Sequence, residues 1–387
     1  MSKVQNFTDW SNQNRLLESN QRMDLPDDVV KISELFKDAG KDLYVVGGAV
    51  RDFLLGKEPK DFDLATNATP DESIEILSPV YKVIEVGKNF GVIKAITPDE
   101  PEGYEIATFR KDVGSGRRPQ GVEFTSIDKD VLRRDLTVNA LFYDIEKEQV
   151  VDLVGGVDDL NKNIIRTVGD PKERFFEDPL RRLRAVRFAA KLGSAMDPAL
   201  HTSLKQDNSL SGVSPERIRD EFLKILKSSK DVIKSIKLLQ EYGFLEQIFP
   251  GLEIQTDKVS QSFPMATVAL MLRDNPPQTV EKELNKLTWT SEEVNQISFL
   301  LNLLKLSENN AYELKKKERL ARFYYLEEID EFAKKAEIDP KVIKAYFSYE
   351  PGVKSEELMA QGFKGPELGL EIKRRESERF KRLLADI

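Results

Sequence analysis

The sequence predicts an α+β protein: strands alternating with helices in its first part, then helices alone. Two observations carry this. Between Leu43 and Ile165, short apolar and β-branched runs such as Leu43–Val46 are separated by glycine, proline and stretches of helical spacing. From Ser214 onward the apolar residues recur at helical spacing and no strand-like alternation returns.

The elements follow in order. Asp27–Ala39 is a helix, capped by Asp27 or Asp28, striped by Val29, Ile32, Leu35 and Phe36, and stopped at Gly40. Leu43–Val46 is a buried strand ended by Gly47-Gly48. Ala49–Leu55 then places Val50, Phe53 and Leu54 on one helix face and stops at Gly56. In a second strand Asp61 and Asp63 alternate with Phe62 and Leu64, so both carboxylates share one face. Pro70–Leu77 is a short helix, and Tyr81–Val86, Gly91–Ile96 and Tyr104–Arg110 are strands. Lys111–Pro119 is rich in glycine and arginine and reads as a mobile loop. Asp128–Tyr143 shows a helix-like apolar face of Val131, Leu132, Leu136, Ala140 and Leu141. Gln149–Ile165 reads as a strand, a Gly155-Gly156 turn that is either plain or a hinge, and a short helix. In Phe175–Gly193, Asp178 is the N-cap, Pro179 takes the first helical position and Gly193 ends the helix. Ser214 caps the next helix, striped by Ile218, Phe222, Ile225 and Leu226.

The stretch Leu43–Thr66 carries the chemistry. Two adjacent carboxylates repel by ~1–4 kcal/mol unless a cation lies between them. Mg²⁺ is held by one or two carboxylates plus substrate phosphates. A glycine pair opening a helix lets backbone N–H groups approach a phosphate. Asp61 and Asp63 beside Gly47 and Gly48 therefore point to metal-dependent nucleotidyl transfer, although either feature alone is more often a solvated pair or a plain turn. Glu105 is either a third carboxylate at this site or an ordinary strand glutamate. Arg134 and Asp135 either bind a phosphate and ribose hydroxyls or form a surface ion pair. Glu177, Asp178 and Arg181 either read a base edge or make a capped helix with an i,i+3 ion pair. Arg117 and Arg118 are either phosphate contacts or loop residues in water. Lys315–Lys317 and Lys373–Arg375 are basic runs, usually solvated faces and on a nucleic-acid enzyme backbone contacts.

Composition narrows the chemistry. The 387 residues include no cysteine and one histidine, His201, which excludes thiolate sites and leaves no histidine cluster. A hydrophobic content of 40% and a charged content of 33% suit a soluble globular chain of two to three domains. The polar N-terminus reads as no signal peptide, and no apolar run reaches the ~18 residues of a membrane span. A cytoplasmic setting is expected. The net charge of −8 confines any nucleic-acid contact to local basic patches. Nothing in the sequence sets an oligomeric state.

Taken together these residues resemble the bacterial-type (class II) tRNA nucleotidyltransferases, the CCA-adding enzymes, and their poly(A) polymerase relatives. The GGxVRD motif is Gly47–Asp52, DxD is Asp61–Asp63, and RRDxTxNA is Arg133–Ala140. The hinge glycines match Gly155-Gly156, EDxxR matches Glu177–Arg181, and the ERIRxE turn matches Glu216–Glu221. Gly362–Gly369 is a weaker match to a tail segment. The resemblance implies a head with a small mixed sheet like that of DNA polymerase β (1–146), then a helical neck with the base-reading helix (147–213), a body (214–290) and a tRNA-contacting tail (291–387). It implies addition of C, C and A to the tRNA 3′ end, at the acceptor stem, from CTP and ATP with two Mg²⁺ ions. Asp61 and Asp63 would hold the metals, with Glu105 the further catalytic candidate. Gly47, Gly48 and Arg51 would hold the triphosphate, and Arg134 and Asp135 the ribose. Asp178 and Arg181 would act as an amino-acid template, with Glu177 in a positioning role. Asn139, Arg184 and Arg187 complete the nucleotide-binding set. The loop bearing Gly114, Gly116, Arg117 and Arg118 would be the lever that permits the final A.

Related A-adding and CC-adding enzymes share these motifs. A poly(A) polymerase is the nearest rival, but those enzymes tend to carry basic extensions and this chain is acidic. A non-catalytic RNA-binding protein would not need intact Asp61, Asp63, Arg134 and Asp135. A small-molecule nucleotidyltransferase would not need EDxxR or a long helical body.

Overall fold

The computed structural model describes residues 22–113, 121–321 and 326–387. The chain divides into two units between Gly212 and Val213.

The first unit is built on β1 (Leu43–Val46), buried at every position as its unbroken apolar run requires. Ahead of it, α1 (Asp27–Asp38) buries Val29, Ile32 and Phe36. After Gly47, α2 (Gly48–Leu54) leads to β2 (Asp63–Thr66), which pairs antiparallel with β1. At the far end of that pair, Thr66 Oγ1 donates to the Asp42 carbonyl at 2.6 Å. Asn67 there exchanges hydrogen bonds with Asp42 at 3.0 Å each. Next comes α3 (Pro70–Leu77), opened by a Thr69/Glu72 capping box. β3 (Lys82–Gly87), β4 (Val92–Ile96) and β5 (Tyr104–Thr108) form a meander, and β5 then lies parallel to β2. β6 (Arg110–Val113) and β7 (Gly121–Phe124) make a separate antiparallel hairpin. The short α4 (Ile127–Asp130) precedes β8 (Leu141–Asp144) and β9 (Gln149–Asp152). The order β3-β4-β5-β2-β1-β8-β9 is thus a mixed sheet with one parallel pair, as expected. One of its faces packs Phe142 edge-on to both Tyr44 and Phe109, together with Val46, Val131, Ala140 and Val151.

Beyond the sheet lie α5 (Gly156–Lys162), α6 (Pro171–Glu177), α7 (Arg181–Leu192) and α8 (Pro198–Gln206). Two-residue strands β10 (Ile164–Ile165) and β11 (Ala195–Met196) pair in parallel.

The second unit is helical throughout its described residues: α9 (Pro215–Ser228), α10 (Val232–Glu241), α11 (Leu245–Ile248), α12 (Pro264–Met271), α13 (Pro277–Lys286), α14 (Ser291–Leu303), α15 (Ala311–Ala321), α16 (Leu326–Lys335), α17 (Pro340–Ser348), α18 (Ser355–Ala360) and α19 (Gly365–Ala385). Its centre is α12, buried from Met265 to Met271 because its sequence is apolar all round. Ser214 sits at the N-cap of α9, but its hydroxyl makes no capping bond. Among the described residues no helix is long and apolar enough to cross a membrane.

Four expectations need correction. Asp61 precedes β2 rather than lying in it; no strand pairing includes Pro59–Phe62, and pairing with β1 begins at Asp63. Lys111–Val113 belong to β6, so a loop beginning at Lys111 starts too early. Asp128–Tyr143 is not a helix. After α4 and a 3₁₀ turn at Val131–Arg133, Arg134 turns extended (ψ 161°), Thr137–Asn139 make a second 3₁₀ turn, and Leu141 enters the sheet. Leu136, Ala140 and Leu141 mimic a helical stripe because turn and strand bury them in succession. Phe175–Gly193 is two helices, since Pro179 forces Asp178 extended (φ −146°, ψ 105°) and parts α6 from α7.

Candidate active site

Strand register places the acidic pair. Val46 is the partner of Asp63, so the carboxylate stands at the strand end where Gly47 and Gly48 turn the chain into α2. Gly47 has φ +70°, a backbone that side chains other than glycine rarely adopt. The parallel β2–β5 pairing, with Leu64 opposite Ile106, brings Glu105 beside Asp63 on the same face. Burial, then the charges of Glu105 and Asp61, push the Asp63 carboxyl above its ordinary range, against Arg134 and Lys94. Asp61 and Glu105 therefore both converge on Asp63, although Asp61 reaches it from the preceding segment. Glu105 already faces Lys94 at 3.4 Å. Among the described residues no group of three acid, histidine or cysteine side chains is arranged to hold a metal. The donor chemistry of Asp61 and Asp63 still fits a hard divalent cation. They are oxygen donors, and substrate phosphates normally complete such a shell.

Around the glycine turn the side chains are braced against each other. Arg51 is buried, pairs with Asp52 at 2.8 Å, donates to Asn139 Oδ1 and lies over the Phe188 ring. Asn139 comes from the second 3₁₀ turn, and its carbonyl lies close to Gly47. Its Nδ2 is buried without a hydrogen-bond partner among the described residues, an orphan donor on a residue that borders the glycine turn.

Arg134 and Asp135 are strongly engaged. Arg134 makes a forked pair with the buried Asp130 at 3.0 and 3.1 Å and stacks over Phe142 at 4.5 Å. Asp135 is buried, accepts from the Leu136 N–H at 2.8 Å and pairs with Arg184 at 2.6 Å. Burial alone would raise the Asp135 pKa, but Arg184, the Leu136 N–H and Arg181 outweigh it and hold the carboxyl below its ordinary range. This buried pair joins the Arg133–Ala140 segment to α7, a contact the sequence spacing does not show.

At the α6–α7 break, Asp178 Oδ1 accepts from the Leu180 N–H at 3.1 Å, but the N-cap of α7 is Leu180 rather than the expected Asp178, and Pro179 stands ahead of the first helical position. Arg181 pairs with Glu177 across the break between the two helices. It also donates to the carbonyls of Arg174 at 3.3 Å and Arg133 at 2.6 Å. Arg184, Arg187, Phe188 and Lys191 then share one face of α7. Phe188 underlies Arg51, Arg184 and Arg187 at 5.2, 5.8 and 4.3 Å. Burial, and next the Arg51 charge, lower the Lys191 pKa, with Arg187 and Lys57 adding to the effect. Such a concentration of cations suits a polyanion. Lys191 escaped the sequence reading, yet it lies four residues after Arg187 and seven after Arg184, which is the arithmetic of one helix face. Asp130 escaped it too, being buried in a polar stretch without a motif.

The Gly155-Gly156 turn is pinned. Asp152 accepts from the N–H groups of Val154, Gly155, Gly156 and Val157 at 2.9–3.1 Å. A Cβ on Gly156 would lie 2.1 Å from the Thr137 carbonyl oxygen. Gly114, Gly116, Arg117 and Arg118 lie outside the described residues.

Residues 43–166 match a family described as the poly A polymerase head domain, and residues 200–255 one described as a probable RNA and SrmB-binding site of polymerase A. The poly(A) polymerase I of Salmonella typhi is 37% identical over 243 residues, covering 59% of this chain and 51% of the relative. The chain thus spans about half the length of that relative. The CCA-adding enzyme of Lactobacillus helveticus is 34% identical over 308 residues, covering 75% of this chain and 76% of its own. Among solved structures, the Bacillus stearothermophilus CCA-adding enzyme in complex with CTP superposes with a TM-score of 0.71 at 26% identity, over 92% of each chain. A CCA-adding enzyme in complex with ATP shares the fold, with a TM-score of 0.67 at 19% identity. The chain belongs to the nucleotidyltransferase family that comprises the CCA-adding enzymes and the poly(A) polymerases.

Proposed function

We propose that this protein is a cytoplasmic tRNA nucleotidyltransferase that adds CCA to the 3′ end of tRNA from CTP and ATP, without a nucleic-acid template. The observation that carries the proposal is the pairing of Asp63 with Val46, which sets a carboxylate beside the glycine-opened helix. Asp61 and Asp63 would hold two magnesium ions, which when bound activate the RNA 3′-hydroxyl and neutralise the leaving pyrophosphate. Gly47 and Gly48 let the triphosphate approach the backbone, and Arg187 with Lys191 supplies positive charge near it. Arg51 braces that seat. Asn139 offers its orphan amide to the nucleotide, and Arg134 and Asp135 border the ribose. Asp178 and Arg181 read the base edge. Three of the five N–H donors of Arg181 are committed to Glu177, Arg174 and Arg133 among the described residues, which leaves two for a base. The segment 1–146 would then act as head, 147–213 as neck, 214–290 as body and 291–387 as the tail that grips tRNA.

The direct test is to incubate the protein with tRNA lacking CCA, Mg²⁺, CTP and ATP, and to sequence the product ends. Three added residues support the proposal. One or two select an A- or CC-adding enzyme. A long A tail selects poly(A) synthesis, the second reading, which the 37% identity to poly(A) polymerase I favours. No incorporation refutes the enzymatic reading.

A further inference from the structure

Asp130 is a fully buried carboxylate in the first unit, and it belongs to none of the roles assigned above. Its Oδ1 accepts from Arg133 Nε at 2.9 Å and the Arg110 N–H at 3.2 Å, and lies 2.7 Å from Arg133 Nη2 in an ion pair. Its Oδ2 takes the fork of Arg134. Arg133 Nε also donates to the Arg110 carbonyl at 3.2 Å. Arg110 is the first residue of β6, so Asp130 and Arg133 fasten the base of the β6–β7 hairpin to the Val131–Arg133 turn.

The other side of that turn is gripped from α6 and α7. A helix end leaves carbonyls without intrahelical partners, and cationic side chains commonly take them. Here Arg174 donates to the Leu132 carbonyl and Arg181 Nη2 to the Arg133 carbonyl, the latter at 2.6 Å. One residue therefore faces both ways. The guanidinium of Arg133 holds the hairpin base and Asp130, while its carbonyl sets the direction of Arg181.

We infer that Arg133, held by Asp130, is a positioning residue that fixes Arg181 and so sharpens the choice of base. The inference rests on the proposal that Arg181 reads the base edge. A reading group must be held to within about half an ångström to discriminate donor from acceptor. Without the Asp130 and Arg110 contacts the turn loses its fixed side, its carbonyl drifts, and Arg181 follows. Arg133 itself touches no nucleotide in this scheme.

CTP and UTP test it, because their pairing edges present opposite donor and acceptor patterns at the 4-position and N3. Two readouts are used: kcat/KM on tRNA lacking CCA, and the binding affinity of each nucleotide by calorimetry. For Arg133→Ala the CTP-over-UTP ratio should fall about tenfold, the scale of one charge-assisted hydrogen bond. Arg133→Lys, which keeps the charge on Asp130 but cannot also span to the Arg110 carbonyl with a planar fork, should fall about threefold. A purely structural role would lower the melting temperature and slow both nucleotides alike, leaving the ratio unchanged; that result overturns the inference. Should Arg133→Ala fail to fold, Arg133→Lys decides alone by the same criterion. If the wild-type protein extends no RNA, the proposed function fails separately, and the calorimetric ratio still decides the role of Arg133.

Discussion

Replacing Gly156 by alanine separates a hinge from a lock. The new Cβ would sit 2.1 Å from the Thr137 carbonyl oxygen and 3.0 Å from Leu141 Cδ2. The first contact is with backbone, so roughly an ångström must open between α5 and the Thr137–Asn139 turn. Thr137 resists: its hydroxyl bonds Asp159 at 2.6 Å and its N–H bonds the Arg166 carbonyl at 3.0 Å. Overpacking of this kind costs about 1–3 kcal/mol, and a rigid backbone neighbour argues for the upper end. For a unit of this size that is a fall of about 6–12 °C in melting temperature. Gly155→Ala is the control. Gly155 has open space around it but φ +80°, so alanine there should cost only about 1–2 kcal/mol. The shifted Thr137–Asn139 turn should also weaken CTP binding, since Asn139 is held against Arg51 and Gly47. Thermal unfolding followed by CTP titration measures both. If Gly156→Ala melts with the wild type while turnover changes, the turn is a moving joint and the packing argument is wrong.

The remaining predictions are briefer. Asp61→Asn or Asp63→Asn should abolish nucleotide incorporation while tRNA binding in a gel-shift assay stays intact; retained turnover would exclude the metal-holding role. Thr69→Ala removes one half of the capping box on α3 and should cost about 1 kcal/mol, read from the denaturation midpoint. In the second unit, Glu328 accepts from the Ala266 N–H at 3.2 Å, but burial, with Glu331 adding, pushes its pKa from 4.5 up to about 7. The folded protein therefore holds a proton there that the unfolded chain releases. This contribution to stability is complete below pH 4.5 and is lost as pH rises through about 7. Glu328→Gln should flatten that slope in melting curves taken across the range; an unchanged slope would place the titration elsewhere.

Where a periodic pattern and a position in the fold coincide, the sequence was legible. Leu43–Val46 reads as a buried strand and the glycine pair after it as the opening of a helix, and both are there. What period two could not reveal is that pairing starts at Asp63 and leaves Asp61 outside, because register depends on the partner strand. The Asp128–Tyr143 segment misled for a related reason. Apolar spacing records which residues are buried, and a turn followed by a strand can bury the same positions as a helix. Pro179 carried the signal for a break before α7, yet the same residue is equally at home inside a first helical turn. The long-range pairs were beyond reach. Asp135 with Arg184, and Arg181 with the Arg133 carbonyl, join segments nearly fifty residues apart in sequence.

The clasp between Asp42, Thr66 and Asn67 has a consequence at a distance. Slipping β2 by one position would turn Asp63 to the opposite side of the sheet, away from the glycine turn, and the hydroxyl and amide ties against such a slip sit at the end remote from the acids. Alignment is thereby governed from one extremity while the chemistry occupies the other. A surveyor of harmful substitutions who inspected only the surroundings of the glycine turn would pass over Asn67, a solvent-facing amide that helps to set where Asp63 points.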